Sequence, residues 1–365
     1  MKEKIIEVAN YMGIKSIGFT NILEYKYLEK FLLERKLNNY DNEFEEQNLN
    51  KRLYVKNVFP ECKSIISIGM PYAMGYKKPQ TNDNGLISIV SFGEDYHKYM
   101  KKILNDLAEE IIRYKEFKYV ICVDTSPLID REICKNSSIG NYGKNSLLID
   151  KDYGSFMYLG YILTDLDIKT ENNIENSDIC KDCNICFNVC PNDAILKDGG
   201  IDSKKCVSYL TQTKTYIPVE YRKNMTNQIY GCDMCQLVCP KNKQVLEMKS
   251  KVDYSKLIID INELMNISNS DFIKKYGYLS GSWRGKNIWK RNGIIAIANL
   301  NIKSMYTKVR KELENPSDMI KIYSAWSLMV LDRHKASDIL NSNLKYENDI
   351  VKNEYKKLLT EDILC

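Results

Sequence analysis

An α/β N-terminal half, a short cysteine-rich module and an all-α C-terminal region are the three parts this sequence predicts. Three observations carry that division. Apolar runs of strand length alternate with amphipathic helical stretches up to residue 170, eight cysteines crowd residues 180–239, and beyond Pro240 the apolar spacing is helical. The boundaries fall at 1–170, 171–245 and 246–365, with the polar stretch 170–178 leading into the middle module.

In the first part, Ile5, Ile6, Val8 and Met12 give residues 1–12 a short amphipathic helix, and residues 14–20 read as a strand. Residues 23–37 predict a helix and the polar stretch 38–50 a surface loop. Ser64-Ile-Ile-Ser-Ile-Gly-Met70 is a nearly continuous apolar run of buried-strand type, and residues 86–92 form another. Helical spacing over 95–117 places Tyr96, Met100, Ile103, Leu104, Leu107, Ile111 and Ile112 on one face. Lys118-Tyr-Val-Ile-Cys-Val-Asp124 predicts a further strand, with a helix starting over 128–134. This alternation argues for an open α/β sheet with ligand chemistry at strand carboxyl ends, and Asp124 stands at such an end. Two readings of Asp124 are open here, a helix cap before Pro127 and a catalytic carboxylate. The glycine-punctuated runs Ile139-Gly-Asn-Tyr-Gly-Lys144-Asn-Ser146 and Asp152-Tyr-Gly-Ser155 suit close backbone approach to a large polar cofactor, and equally a hairpin turn.

The middle module opens with Cys180-Lys-Asp-Cys183-Asn-Ile-Cys186-Phe-Asn-Val-Cys190-Pro191. Three thiolates in one short loop and a fourth at a helix start form the C-x-x-C-x-x-C-x-x-x-C-P pattern of iron–sulfur ligation. Cys206 and Cys232-Asp-Met-Cys235-Gln-Leu-Val-Cys239-Pro240 add a second set, enough for two [4Fe-4S] clusters in a ferredoxin-like module. With the cysteine before proline crossing to the other cluster, Cys180, Cys183, Cys186 and Cys239 hold the first cluster. Cys190, Cys206, Cys232 and Cys235 then hold the second. Zinc is the alternative, but it favours paired C-x-x-C or Cys/His sets and gains nothing from the trailing Cys-Pro. So dense a run in a long chain without a secretion signal does not read as a disulfide framework. Cys62, Cys122, Cys134 and Cys365 lie outside the pattern and read as ordinary core or surface thiols.

In the third part, residues 288–300 and 323–331 resemble each other as apolar helices about thirty residues apart, each followed by a charged helix. That spacing suggests a short solenoid of helix pairs. Arg284, Lys286, Lys290, Arg291, Lys303, Lys308, Arg310 and Lys311 crowd the same region, a pattern that suits phosphate contact and equally a solvated helix face. The net charge of +5 is too mild to define a nucleic-acid partner by itself. Charges interrupt the N-terminal apolar run and no window reaches spanning length, so a cytoplasmic protein with reduced thiols is expected. Only His97 and His334 occur, which excludes most histidine-based metal sites.

Six strings, in this order, resemble one family. They are Asp95-Tyr-His97-Lys, Asp124-Thr-Ser-Pro-Leu-Ile-Asp-Arg131-Glu, Gly143-Lys-Asn-Ser146, Asp152-Tyr-Gly-Ser155, Cys206-Val-Ser208-Tyr-Leu-Thr-Gln-Thr-Lys214 and Ile229-Tyr-Gly-Cys232-Asp-Met-Cys-Gln-Leu-Val-Cys-Pro240. The family is the cobalamin-dependent epoxyqueuosine reductases, which finish queuosine synthesis in tRNA. The strings cover most of residues 50–245, and Trp289-Lys-Arg-Asn292-Gly-Ile-Ile-Ala-Ile-Ala-Asn299 is similar to the HEAT-type repeat of many members. Three features depart from the pattern: the loop 38–50 lacks the usual glycine-containing stretch, Lys56 stands where arginine is frequent, and Asn141 replaces a frequent aromatic.

The resemblance implies a cobalamin-binding catalytic domain over 1–170, a ferredoxin-like module over 171–245 and a HEAT-like tRNA-binding region over 246–365. The cofactor is expected to be base-off cobalamin with no histidine on cobalt, and Asp332-Arg-His334-Lys-Ala-Ser337 lacks the glycine of the D-x-H-x-x-G motif. Asp124 is implied as general acid, its pKa raised by burial against a corrin face. His97, Asp124, Asn145, Ser146, Ser155, Ser208 and Asp233 are implied as cobalamin contacts, and Arg131 and Lys214 as tRNA contacts. The expected partners are a tRNA with epoxyqueuosine in its anticodon loop and a low-potential electron donor such as flavodoxin or ferredoxin, acting on a monomer. Reductive dehalogenases are a rival reading, since they also join corrinoid to two clusters, but they are usually exported and lack the helical repeat. A ferredoxin-like electron carrier explains the cysteines and leaves the α/β half without a role.

Overall fold

A four-stranded sheet in the order Ser16–Thr20, Ser64–Pro71, Met157–Thr164, Tyr119–Cys122 is the frame on which the catalytic candidates are placed. The structure is a computed structural model and describes residues 1–170, 178–197 and 199–360, so most of the expected linker 170–178 and Cys365 lie outside the described residues. Two units are formed, each from separate stretches of chain. One comprises Met1–Lys77, Glu94–Lys204 and Asp233–Val252, the other Lys78–Gly93, Lys205–Cys232 and Asp253–Cys365.

In the first unit every pairing of the sheet is antiparallel, with Ser16 opposite Gly69 and both Ser64 and Tyr119 opposite Thr164. The expected open sheet with helices is thus present, and its strands all pair antiparallel. Strand direction is fixed by connections between distant segments, which local periodicity does not report. The strands expected at 14–20, 64–70 and 118–124 are observed. The buried inner strand Met157–Thr164 is an addition, because Gly160 interrupts its apolar run. That glycine admits the helix Tyr96–Ile112: a Cβ there would stand 2.9 Å from Leu104 Cδ1 and 3.1 Å from Met100 Cε. The helix buries Met100, Leu104, Leu107, Ala108 and Ile111, while Ile112 is exposed. The helix expected over 23–37 is confined to Glu29–Leu37, preceded by a 3-10 turn. Cys62, Cys122 and Cys134 pack in the core with Tyr25, Ile65 and Tyr161, and burial pushes the Cys62 and Cys122 thiols up to about 11 and about 12.

In the second unit Gly85–Ile87 pairs parallel with Gln228–Tyr230 and antiparallel with Ile258–Ile259. The strand expected over 86–92 therefore ends early, where a 3-10 turn, Ile89–Ser91, takes the Ser91 N–H to the Ser88 carbonyl. The region beyond Pro240, expected to be helical, contributes one two-residue strand. Helices Lys286–Asn299 and Asp318–Leu331 pack on each other and are followed by Tyr306–Lys311 and Arg333–Asn343, as the spacing predicts. Lys286–Asn299 is buried on nearly all sides, which removes Lys290 and Arg291 from the basic surface cluster. Lys290 Nζ instead donates to Glu312 Oε1 at 2.8 Å. No helix among the described residues is long and apolar enough to cross a membrane.

Candidate functional site

Asp124 follows the strand Tyr119–Cys122 and occupies the centre of a tight turn closed by the Thr125 N–H on the Val123 carbonyl. Its φ of 53° lies in the left-handed region, which aspartate tolerates better than most residues. The turn leaves the side chain 62% exposed. The helix Asp130–Asn136 begins six residues later with Ile129 as its N-cap, so Asp124 caps nothing.

What surrounds the carboxylate comes from the start of the helix Tyr96–Ile112, which Asp95 caps by accepting the His97 N–H. Tyr96 Oη donates to Asp124 Oδ2 at 2.8 Å. His97 Nε2 lies 3.1 Å from the same oxygen, and its Nδ1 lies 2.6 Å from Asp95 Oδ1. The His97 hydrogen bond, helped by Tyr96 and Arg131, holds the Asp124 carboxyl below its ordinary range despite partial desolvation. The same bond, with Asp95, raises His97 against its own desolvation. The expectation that burial raises the Asp124 pKa is therefore corrected: two donors on one oxygen outweigh desolvation and drive the pair toward imidazolium and carboxylate.

Two neighbours were not legible as functional in the sequence. Tyr96 carries no signal of its own beyond lying beside His97. Asp130 is the second carboxylate of the Asp124-Thr-Ser-Pro-Leu-Ile-Asp130 string; its Oδ1 accepts from Tyr161 Oη at 2.6 Å and Ser126 Oγ at 3.2 Å. Desolvation, with the Asp124 charge in the same direction, pushes its pKa to about 6. A row of rings also leaves the site: His97 stacks on Tyr96 at 4.1 Å, Tyr96 on Tyr158 at 4.9 Å, and Tyr158 on Tyr72 at 4.6 Å. Tyr72 Oη donates to Gln236 Oε1 at 3.4 Å, one residue from Cys235.

Of the remaining candidates in the first unit, Ser155 is buried in a network. Its N–H donates to Asn242 Oδ1 at 2.7 Å, its Oγ donates to Gln236 Oε1 at 3.0 Å and accepts from Asn242 Nδ2 at 2.9 Å. Asn145 is buried, with Oδ1 accepting the Leu147 N–H at 3.4 Å. Ser146 has a φ of 61°, and its carbonyl accepts from the exposed Arg131 guanidinium. Asp233 is buried at the start of the helix Met234–Leu237, and its charge adds to the burial that raises the Tyr72 phenol. In the second unit, Ser208 lies on the short helix Val207–Leu210 and Lys214 is exposed.

The first unit also carries Cys180, Cys183, Cys186, Cys190, Cys235 and Cys239, while Cys206 and Cys232 belong to the second. The Cys183 N–H donates to the Cys180 carbonyl at 2.9 Å, and Cys186 sits on the helix Ile185–Val189. Burial and then the charges of Cys180, Cys239 and Cys183 raise the Cys186 thiol; burial, Cys180 and Cys183 raise Cys239. Cys239 and the first cysteine triplet thus act on one another electrostatically. Several thiols that raise one another fit a cationic inorganic core. The Ala194 N–H donates to Cys190 Sγ at 3.2 Å, a bond of the kind that tunes a cluster sulfur. No disulfide joins cysteines among the described residues.

A chain that carries the double-cluster cysteine pattern together with a carboxylate held by two proton donors falls in the class of iron–sulfur oxidoreductases. Residues 179–242 match the family described as 4Fe-4S double cluster binding domain, and residues 52–125 match Epoxyqueuosine reductase QueG. An epoxyqueuosine reductase of Lactococcus garvieae is 37% identical over 342 residues, 91% of this chain and 96% of that protein. A solved epoxyqueuosine reductase with a tRNA-Tyr epoxyqueuosine-modified stem loop is 31% identical, with a TM-score of 0.90 over 98% of this chain and 97% of that one. The structure from Bacillus subtilis, with its catalytic aspartate loop swung out of the active site, is also 31% identical, with a TM-score of 0.88 over 98% of both chains. The chain belongs to the epoxyqueuosine reductase family.

Proposed function

We propose that this chain reduces epoxyqueuosine to queuosine at the wobble position of tRNA in the cytoplasm, with Asp124 as general acid. The observation that carries the assignment is the Asp124 carboxylate, turned outward by its strained turn and held by Tyr96 and His97, in a family with a solved member bound to epoxyqueuosine-modified stem loop. Opening the epoxide and leaving an alkene consumes two electrons and two protons and releases water. Cobalamin, when bound, supplies a two-electron nucleophile, fed by clusters that deliver electrons singly. The proton rests on His97, whose Nε2 bonds Asp124 Oδ2; as charge grows on the departing oxygen it passes through Asp124, the acid that delivers it, while Tyr96 fixes the carboxylate's orientation.

Both His97 nitrogens face carboxylates, which supports a base-off corrinoid with no protein imidazole on cobalt. Asn145, Ser146, Ser155, Ser208 and Asp233 complete the proposed cobalamin contacts. The cluster ligands are Cys180, Cys183, Cys186 and Cys239 for one, and Cys190, Cys206, Cys232 and Cys235, by motif spacing, for the other. Arg131 and Lys214 face tRNA phosphates, and the HEAT-like helices of 246–365 bind the anticodon stem. A flavodoxin or ferredoxin supplies electrons to the monomer. Incubating the reconstituted protein, cobalamin and a chemical reductant with epoxyqueuosine-containing tRNA tests the assignment. Nucleoside mass spectrometry should register the loss of one oxygen, and an unchanged nucleoside mass refutes it.

A further inference from the structure

Two adjacent polar side chains of the helix Lys286–Asn299, Arg291 and Asn292, are buried and directed at backbone carbonyls. Arg291 is fully buried, and desolvation lowers its pKa to about 10. Its Nη1 donates to the Thr213 carbonyl at 2.5 Å and its Nη2 to the Leu210 carbonyl at 2.7 Å. Leu210 ends the helix Val207–Leu210, whose N-cap is Cys206, so the guanidinium sits on one carbonyl that the helix leaves unsatisfied and on one just beyond its end. The neighbouring Asn292 Nδ2 donates at 2.8 Å to both the Thr211 and the Ile229 carbonyls. Ile229 lies on the strand Gln228–Tyr230, three residues before Cys232, which is reached through Gly231. The Gly231 N–H in turn donates to Thr211 Oγ1 at 2.8 Å. One buried hub therefore holds the segment after Cys206 and the segment before Cys232 in fixed register.

We infer that Arg291 and Asn292 are positioning residues for an iron–sulfur cluster, fixing the segments that present Cys206 and Cys232 to it. The inference rests on the reading of those two cysteines as cluster ligands. It gives the C-terminal helices a second role beyond tRNA, since one of them presets half of a metal site. A buried guanidinium and amide are costly to leave unpaired, and here each bonds two carbonyls that hydrophobic packing cannot bridge. The same helix contains its own control: Asn299 Nδ2 donates at 2.9 Å to the Arg222 and Thr226 carbonyls, the same kind of paired hydrogen bond made to neither of the two segments that Asn292 joins.

The test compares anaerobically reconstituted wild type, Asn292→Leu and Asn299→Leu by iron content and by EPR of the reduced clusters. Wild type should hold about eight irons, Asn292→Leu about four with one cluster's signal lost, and Asn299→Leu about eight. Eight irons with unaltered signals in Asn292→Leu overturns the inference, and so does equal loss in both variants, which would mark general destabilisation. Should Asn292→Leu fail to fold, Arg291→Lys gives the readout, since a lysine replaces two forked bonds by one point charge. Four of its irons should be extracted by a chelator faster than in wild type; unchanged resistance of all eight overturns the inference. A wild type without iron refutes the ligand reading itself, a distinct result.

Discussion

His97 Nε2 stands 3.1 Å from Asp124 Oδ2, while the opposite ring nitrogen is 2.6 Å from Asp95 Oδ1, so one imidazole joins two carboxylates. The helix start supplies the ring and the strand end supplies the acid. Asp124→Asn should keep both clusters and cobalamin yet lower turnover by roughly 10²–10⁴-fold, the range of a positioned general acid. Turnover near wild type, measured as nucleoside conversion per minute, removes Asp124 from the mechanism.

The pH dependence follows from the directions of the shifts. Folding favours His97 imidazolium, so its contribution to stability is whole below the ordinary value of 6.5 and is lost as pH rises through the raised folded value. Asp124 acts in reverse: its contribution is present above the ordinary 3.8 and is lost as pH falls through the lowered value. Asp130, raised to about 6, withdraws stability as pH climbs from 3.8 through 6. NMR titration of His97 should give a pKa above 6.5 that falls in Asp124→Asn, because the bond to Asp124 is the largest cause of its shift. A His97 pKa unmoved by the substitution contradicts the pairing.

Ser155 separates a structural role from a cofactor role. Its hydroxyl joins Gln236 and Asn242 in a buried network, so Ser155→Ala should cost about 1–3 kcal/mol in denaturant unfolding. Cobalamin binding should weaken as well, and unchanged cobalamin affinity in the destabilised variant removes Ser155 from the proposed contacts.

Lys214 is exposed, and Lys214→Gln should weaken tRNA binding and lower the slope of log K against log salt by about 1. A slope equal to that of wild type excludes a phosphate contact.

The cysteine pattern and the strands 14–20, 64–70 and 118–124 were legible because both are local: ligand spacing and apolar runs lie in a few consecutive residues. Long-range features were not. Nothing near residues 157–164 says that Gly160 faces a helix rather than a cofactor, and nothing near Asp124 says that two donors from another segment will lower its pKa. Lys290 and Arg291 read as surface cations because charge is local, whereas their carboxylate and carbonyl partners lie 22 to 81 residues away.

The most direct test of the central claim is the mass of the modified nucleoside after anaerobic incubation of tRNA with the iron–sulfur protein and reductant, with and without cobalamin. Loss of one oxygen only when cobalamin is present is the predicted result. Oxygen loss of equal extent without cobalamin, or none in either reaction, contradicts it.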